Sequence, residues 1–180
     1  MLRPPDPPLA DAGIQLRPYE MRDVDAIVAG FGDASVTRWF PVPLPFDRAQ
    51  ATAYVRDCRN GWRHGVQATF AVVEHRTGSL VGGVDVDEID HRGGTGDVGY
   101  WVAVDARGKG FAAAAVGLVA TWALESVGLT QLTILAEPEN AASIAVAERA
   151  GFTRDAVLVG HDTDWRDGRV RDFVRFVRGR

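Results

Sequence analysis

The run Gly99-Tyr-Trp-Val-Ala-Val104 has β character. It passes through Asp105-Ala-Arg-Gly-Lys-Gly110 into the alanine-rich stretch Phe111-Ala-Ala-Ala-Ala115. This order of strand, glycine loop and helix constrains the fold more than any other feature of the chain. Glycine lets a backbone come close to a ligand, because no Cβ stands in the way. The first turn of a helix leaves N–H groups unpaired and presents the positive end of the helix dipole. Arg107 and Lys109 add positive charge, so the loop reads as a cradle for a diphosphate. For two glycines alone, a ligand-free turn would explain the pattern as well. The two cations at a helix start argue for the cradle.

A chain of 180 residues, 46% hydrophobic and 24% charged, fits one domain with its own core. A net charge of −4 gives no reason to expect nucleic-acid binding. Cys58 is the only cysteine, so an internal disulfide is excluded, and it is expected as a small apolar residue inside a helix. His64, His75, His91 and His161 are scattered without metal-ligand spacing, so no metal is expected. No stretch is long enough for a membrane span, and a cytoplasmic location is the default expectation. The proline-rich start is expected to be a disordered lead-in over residues 1–12, followed by a single domain over 13–180.

Periodicity predicts a short strand at Ile14–Pro18, a helix at Arg22–Phe31 and a second short helix at Asp33–Phe40. Pro41, Pro43 and Pro45 then forbid regular structure. Asp47 is placed to cap a helix running to about Trp62. Ala68–Val73 and Leu80–Val86 form a hairpin, and Asp97–Val104 is the next strand. The helix after the cradle turns Phe111, Ala115, Leu118 and Trp122 to one side and ends at Gly128. Gln131–Ala136 is a strand, Asn140–Ala150 a helix closed by Gly151, and Phe152–Val159 with Val170–Val177 a final hairpin. This order predicts an α/β fold. Its mixed sheet is mostly antiparallel, carries one parallel β-α-β unit and has helices on both faces.

Gly108-Lys-Gly110-Phe-Ala-Ala113 also satisfies the dinucleotide fingerprint, with Glu137 near the end of the next strand. A nicotinamide-dependent oxidoreductase is therefore one reading. Against it, three residues separate the strand from the first glycine, and cations flank the loop. The remaining chain, about seventy residues after Gly108, is too short for the rest of such a fold.

Arg107-Gly-Lys-Gly110-Phe-Ala112, the lead-in Gly99-Tyr100-Trp101, Asn140-Ala-Ala-Ser143 and Glu148-Arg-Ala-Gly151-Phe152 follow one another in a single order. In that order and spacing the chain resembles the GNAT N-acetyltransferases. Within them it is similar to the branch that acetylates ribosomal-protein N-termini. The resemblance covers nearly the whole chain. It implies acetyl transfer from acetyl-CoA to a primary amine, of a peptide or a small molecule, with no nucleic acid or membrane partner and a monomeric or homodimeric protein. It implies that Val102, Val104, Arg107, Gly108, Lys109, Gly110, Phe111 and Ala112 hold the coenzyme. The strand carrying Val102 and Val104 would splay from the one starting at Gln131. Asn140 and Ser143 would face the pantetheine arm and the sulfur.

A thioester is already reactive, so such a site must mainly align two reactants and manage protons. An α-amine, with a pKa of about 8, is partly neutral near pH 7, whereas a lysine amine at about 10.4 needs a base. Asp97 is the leading candidate base, with a solvated strand-end carboxylate as the equal alternative. Asp85, Asp87 and Glu88 compete with it or attract a cationic acceptor. Many family members carry a tyrosine where this chain has Ala147. Ser143 is the expected substitute as proton donor to the thiolate. Trp39, Phe40 and Tyr100 are candidates for the acceptor pocket. The absent tyrosine also leaves open a non-catalytic acyl-CoA-binding module.

Overall fold

A computed structural model describes residues 2–11, 13–40 and 42–180. Eight strands form one sheet in the order β1-β2-β3-β4-β5-β6-β8-β7. They are β1 (Leu9–Asp11), β2 (Ile14–Pro18), β3 (Ala68–Glu74), β4 (Leu80–Asp90), β5 (Thr95–Val102), β6 (Gln131–Ala136), β7 (Thr153–Thr163) and β8 (Val170–Gly179). Every neighbouring pair is antiparallel except β5 and β6. A dinucleotide fold needs a run of parallel strands, and this sheet does not supply one.

The helices divide between the two faces. α1 (Val24–Phe31), α2 (Ala34–Thr37) and α3 (Arg48–His64) cover one, while α4 (Phe111–Trp122) and α5 (Ala141–Arg149) cover the other. Strand alternation sorts the side chains accordingly. On β3, Phe70 and Val72 join the α4 face, while Ala71 and Val73 join the α1–α3 face. On β5, Val98 and Tyr100 point to α4 and α5, and Trp101 packs beneath Phe31 of α1 with ring centroids 5.1 Å apart.

The expected elements form with shifted ends. Asp47 caps α3 by accepting from Gln50 N, and Gln50 reaches back to Asp47 N. Cys58 is buried within α3. The lead-in is corrected in part. Leu9–Asp11 pairs with β2 as an edge strand, because β2 otherwise exposes a free ladder edge to solvent. Ala12, the last residue of that lead-in, lies outside the described residues. β5 stops at Val102 rather than Val104, which instead opens a 3-10 turn over Val104–Ala106. β4 runs to Asp90 and β7 to Thr163, both longer than expected.

The tip of the β7–β8 hairpin is tied to α2. The Arg166 guanidinium donates to both carboxyl oxygens of Asp164 and to the carbonyls of Thr37 and Arg38 at the end of α2. Arg171 joins Asp164 to Glu137, just past β6. Hydrogen bonds from Arg166 hold the Asp164 carboxyl well below the usual carboxylate range, so the tie stays charged in ordinary buffers. Two chain segments far apart in sequence are thereby clamped over one end of the sheet. Arg166→Ala should speed amide hydrogen exchange in α2 and in residues 164–169 at least several-fold, with α3 unchanged. The comparison by mass spectrometry checks it, and equal exchange in both proteins would contradict it.

Candidate active site

The parallel ladder between β5 and β6 is short. Thr95 pairs with Gln131, Gly96 with Leu132 and Asp97 with Thr133, and the two strands then part. Each keeps its outer partner: β5 pairs with β4 through Val102, and β6 pairs with β8 through Ala136. The inner edges of Val98–Val102 and Ile134–Ala136 therefore face each other without pairing.

A cavity of about 460 Å³ fills this fork. It is lined from both faces of the sheet: Trp39 and Phe40 from α2's end, Gly99 and Trp101 from β5, Ser143 and Val146 from α5. The fork is thus a passage through the sheet. A larger hollow of about 600 Å³ lies on the outer side of α4. Arg178 there already donates to the Ala150 carbonyl and the Thr121 hydroxyl, so its charge is engaged.

The glycine loop forms one end of the fork. Gly108 and Gly110 have φ of +75° and +82°, which side chains disfavour, and a Cβ on either would enter open space. Gly110 precedes α4 and offers no side-chain cap, so the first N–H groups of the helix are free for an anion. Arg107, Gly108, Gly110, Phe111, Ala112 and Val102 line the cavity, and so does Asn140. Two residues of the expected coenzyme set stand apart. Val104 is exposed in the 3-10 turn, outside the cavity lining. Lys109 reaches back to Glu74, 3.9 Å away, and lies 5.7 Å from the Phe111 ring centroid.

At the α5 side, the Asn140 side chain accepts from Ser143 N and caps the helix. Tyr100 Oη donates to Ser143 Oγ at 2.7 Å. Burial pushes the Tyr100 phenol up to about 12, so it remains a protonated donor at neutral pH. The parity of β5 turns Tyr100 to α5 and Trp101 to α1. Ala147 is fully buried against the core, so the missing tyrosine leaves no polar gap. Sequence reading missed the Tyr100–Ser143 pair because the two lie 43 positions apart. Strand alternation at Tyr100 and Trp101 was the available signal.

The carboxylates gather on the opposite face. Asp85, Asp87 and Asp97 share one side of β4 and β5, with Asp87 directly across from Asp97. Asp97 is half-buried at the closed end of the fork, outside the cavity lining. Burial raises its pKa, as do Glu88 and Asp87, while Thr133 beside it pulls the other way. Asp85 is raised to about 6, first by burial and then by Asp87. Glu88 is exposed at the end of this row. Among the described residues no cluster of metal-ligating side chains forms, and no helix is long and apolar enough to cross a membrane.

Comparison with known proteins agrees with this geometry. Residues 14–153 match the model of the acetyltransferase (GNAT) domain. The N-acetyltransferase p20 of Bacillus licheniformis is 26% identical over 163 residues, 91% of this chain and 90% of that protein. RimJ of Mycobacterium smegmatis, solved in complex with CoA-disulfide, superposes with a TM-score of 0.83 at 26% identity, covering 96% of this chain and 85% of that one. The ribosomal-protein-S5-alanine acetyltransferase of Vibrio fischeri shares the fold with a TM-score of 0.84 at 19% identity, covering 96% of each chain. The match over most of its length, the forked β5–β6 pair and the glycine loop at α4 together place this chain in the GNAT acetyltransferase family.

Proposed function

We propose that this enzyme binds acetyl-CoA in the fork and transfers the acetyl group to a primary amine, of a peptide N-terminus or a small molecule, arriving from the α1–α3 face. The observation that carries this reading is the unpaired inner edge of β5 beside the glycine loop. A strand edge with free N–H and C=O groups suits the amides of a pantetheine arm, much as it would suit an added strand. Arg107, Gly108, Gly110, Phe111 and Ala112 would hold the pyrophosphate, and Asn140 would shape the wall beside the arm. Lys109 contributes charge near the loop from its station on Glu74.

The chemistry then runs by direct attack. The amine lone pair adds to the thioester carbonyl carbon, and a backbone N–H on the fork side of β5 supports the developing oxyanion. The carbon–sulfur bond breaks. Ser143 Oγ–H donates to the departing thiolate and is itself supported by the Tyr100 phenol. The row of Asp85, Asp87 and Asp97 favours a cationic acceptor and one of its members takes the amine proton. Trp39 and Phe40 would wall the acceptor entrance, held in place by the Arg166 clamp. The mechanism needs no metal. The similarity to proteins named for ribosomal-protein acetylation supports a peptide N-terminus within the acceptor range. The chain's fold is that of an active family, and the Tyr100–Ser143 pair supplies a donor that a purely binding module would not need.

Acetyl-CoA at a hundred times its Kd should stabilise the protein by about 2.7 kcal/mol and raise the melting temperature by roughly 5–10 °C. Gly110→Asp, which puts a side chain at positive φ and a negative charge in the phosphate path, should abolish the shift. An unchanged melting curve for the unaltered protein at millimolar acetyl-CoA would contradict the reading. Ser143→Ala should lower kcat by roughly 10–10²-fold with KM for acetyl-CoA little changed, and Tyr100→Phe should lower it less. Thiol release across a panel of peptide and small amines measures both. A loss confined to KM would instead make Ser143 a binding group.

A further inference from the structure

The α1–α3 face of the sheet holds a polar cluster centred on Asp85. Its cross-strand partner is Gly99, which lines the fork. A Cβ at Gly99 would fall 2.7 Å from Asp85 Oδ1, so the carboxylate lies over the Gly99 backbone in space that only glycine leaves open. Gln67 Nε2 donates to Asp85 Oδ2 at 3.3 Å and orients the group. The Gly99 N–H also faces it. Thr69, directly across from Asp85 on β3, is buried with its hydroxyl beside the Cys58 thiol.

The electrostatic neighbours of Asp85 are Asp87, Tyr19, Tyr54 and Cys58 rather than a lysine or arginine. Burial raises Tyr19 and Tyr54 and pushes the Cys58 thiol up to about 12, so all three stay neutral near pH 7. Asp85 is half-buried beside the fork, and among the described residues no lysine or arginine forms an ion pair with it. A cationic amine would supply a countercharge. Asp97 differs in position. It stands two residues farther toward the closed end, opposite the last paired residue of β6. Its surroundings suit a contribution to the negative potential rather than contact with the acceptor.

We propose that Asp85, seated over Gly99, is the general base of the acetyl transfer. This rests on the acetyltransferase reading above. In the step, the amine nitrogen bonds to the thioester carbon and the carbon–sulfur bond breaks. The proton lost from nitrogen passes to Asp85, while the thiolate leaves under a hydrogen bond from Ser143 Oγ–H and takes its proton from solvent. Asp85 then returns its proton to solvent, leaving an amide, the free thiol and an intact Ser143 hydroxyl. Glycine at position 99 is then required to admit the carboxylate.

The test is the pH dependence of kcat/KM for the best amine found by thiol release, in the unaltered enzyme, Asp85→Asn and Asp97→Asn. The unaltered enzyme should lose rate as the pH falls through about 6. Asp85→Asn should lose 10²-fold or more in kcat and also this acid limb, while its melting temperature still rises with acetyl-CoA. Asp97→Asn should keep the limb. Asp85→Glu, which retains a carboxylate, should keep part of the rate with a displaced limb, and it serves if Asp85→Asn does not fold. An Asp85→Asn enzyme with its rate and limb intact, or a limb unmoved by Asp85→Glu, would overturn the assignment. No thiol release from the unaltered enzyme with any amine would overturn the acetyl-transfer reading itself, and the assignment with it.

Discussion

The end of the β5–β6 ladder after Asp97 and Thr133 is the constraint on which the rest of the site depends. Backbone N–H and C=O groups are rarely left unpaired away from water. Here two strands keep their outer partners and leave their inner edges open, at the one place in the sheet where the pairing is parallel. The opening is held by what surrounds it. α4 and α5 pack the lower face, α1 and α3 pack the upper face, and β6 stays paired with β8 along its outer edge. The glycine loop, the Tyr100–Ser143 pair and the carboxylate row all take their positions from that split.

The two faces of the fork are chemically unlike. On the α4 and α5 face stand a helix start, an arginine and two neutral hydroxyls, which suit a phosphate and a thiolate. On the α1–α3 face stand Asp85, Asp87 and Asp97, which suit an amine. Alternation along β5 separates them: Val98, Tyr100 and Val102 face one way, while Asp97, Gly99 and Trp101 face the other. A passage through a sheet keeps both reactants in reach of the same strand while holding their charges apart. This is positioning more than activation, as a thioester requires.

Much of this was legible in the sequence. The loop from Arg107 to Ala112 and the caps at Asp47 and Asn140 follow from local signals, glycines at a helix start and capping side chains, while the splay of the two strands came only from the family resemblance. Asp97 was singled out because it begins the strand that leads to the loop. What local reading could not supply was register. Which carboxylate lies over Gly99 depends on how β4 pairs with β5, and a slip of one residue would turn Asp85 to the other face. The same holds for Tyr100 and Ser143, brought together by tertiary packing. Leu9–Asp11 was missed because three residues next to a proline-rich start carry too little pattern to mark a strand.

Hydrogen exchange with and without acetyl-CoA tests the fork most directly. Protection should appear at the amides of residues 99–112 and 134–143, on both arms of the split and at the glycine loop together. Protection confined instead to the outer side of α4, around Thr121 and Arg178, would contradict the assignment of the fork as the coenzyme seat.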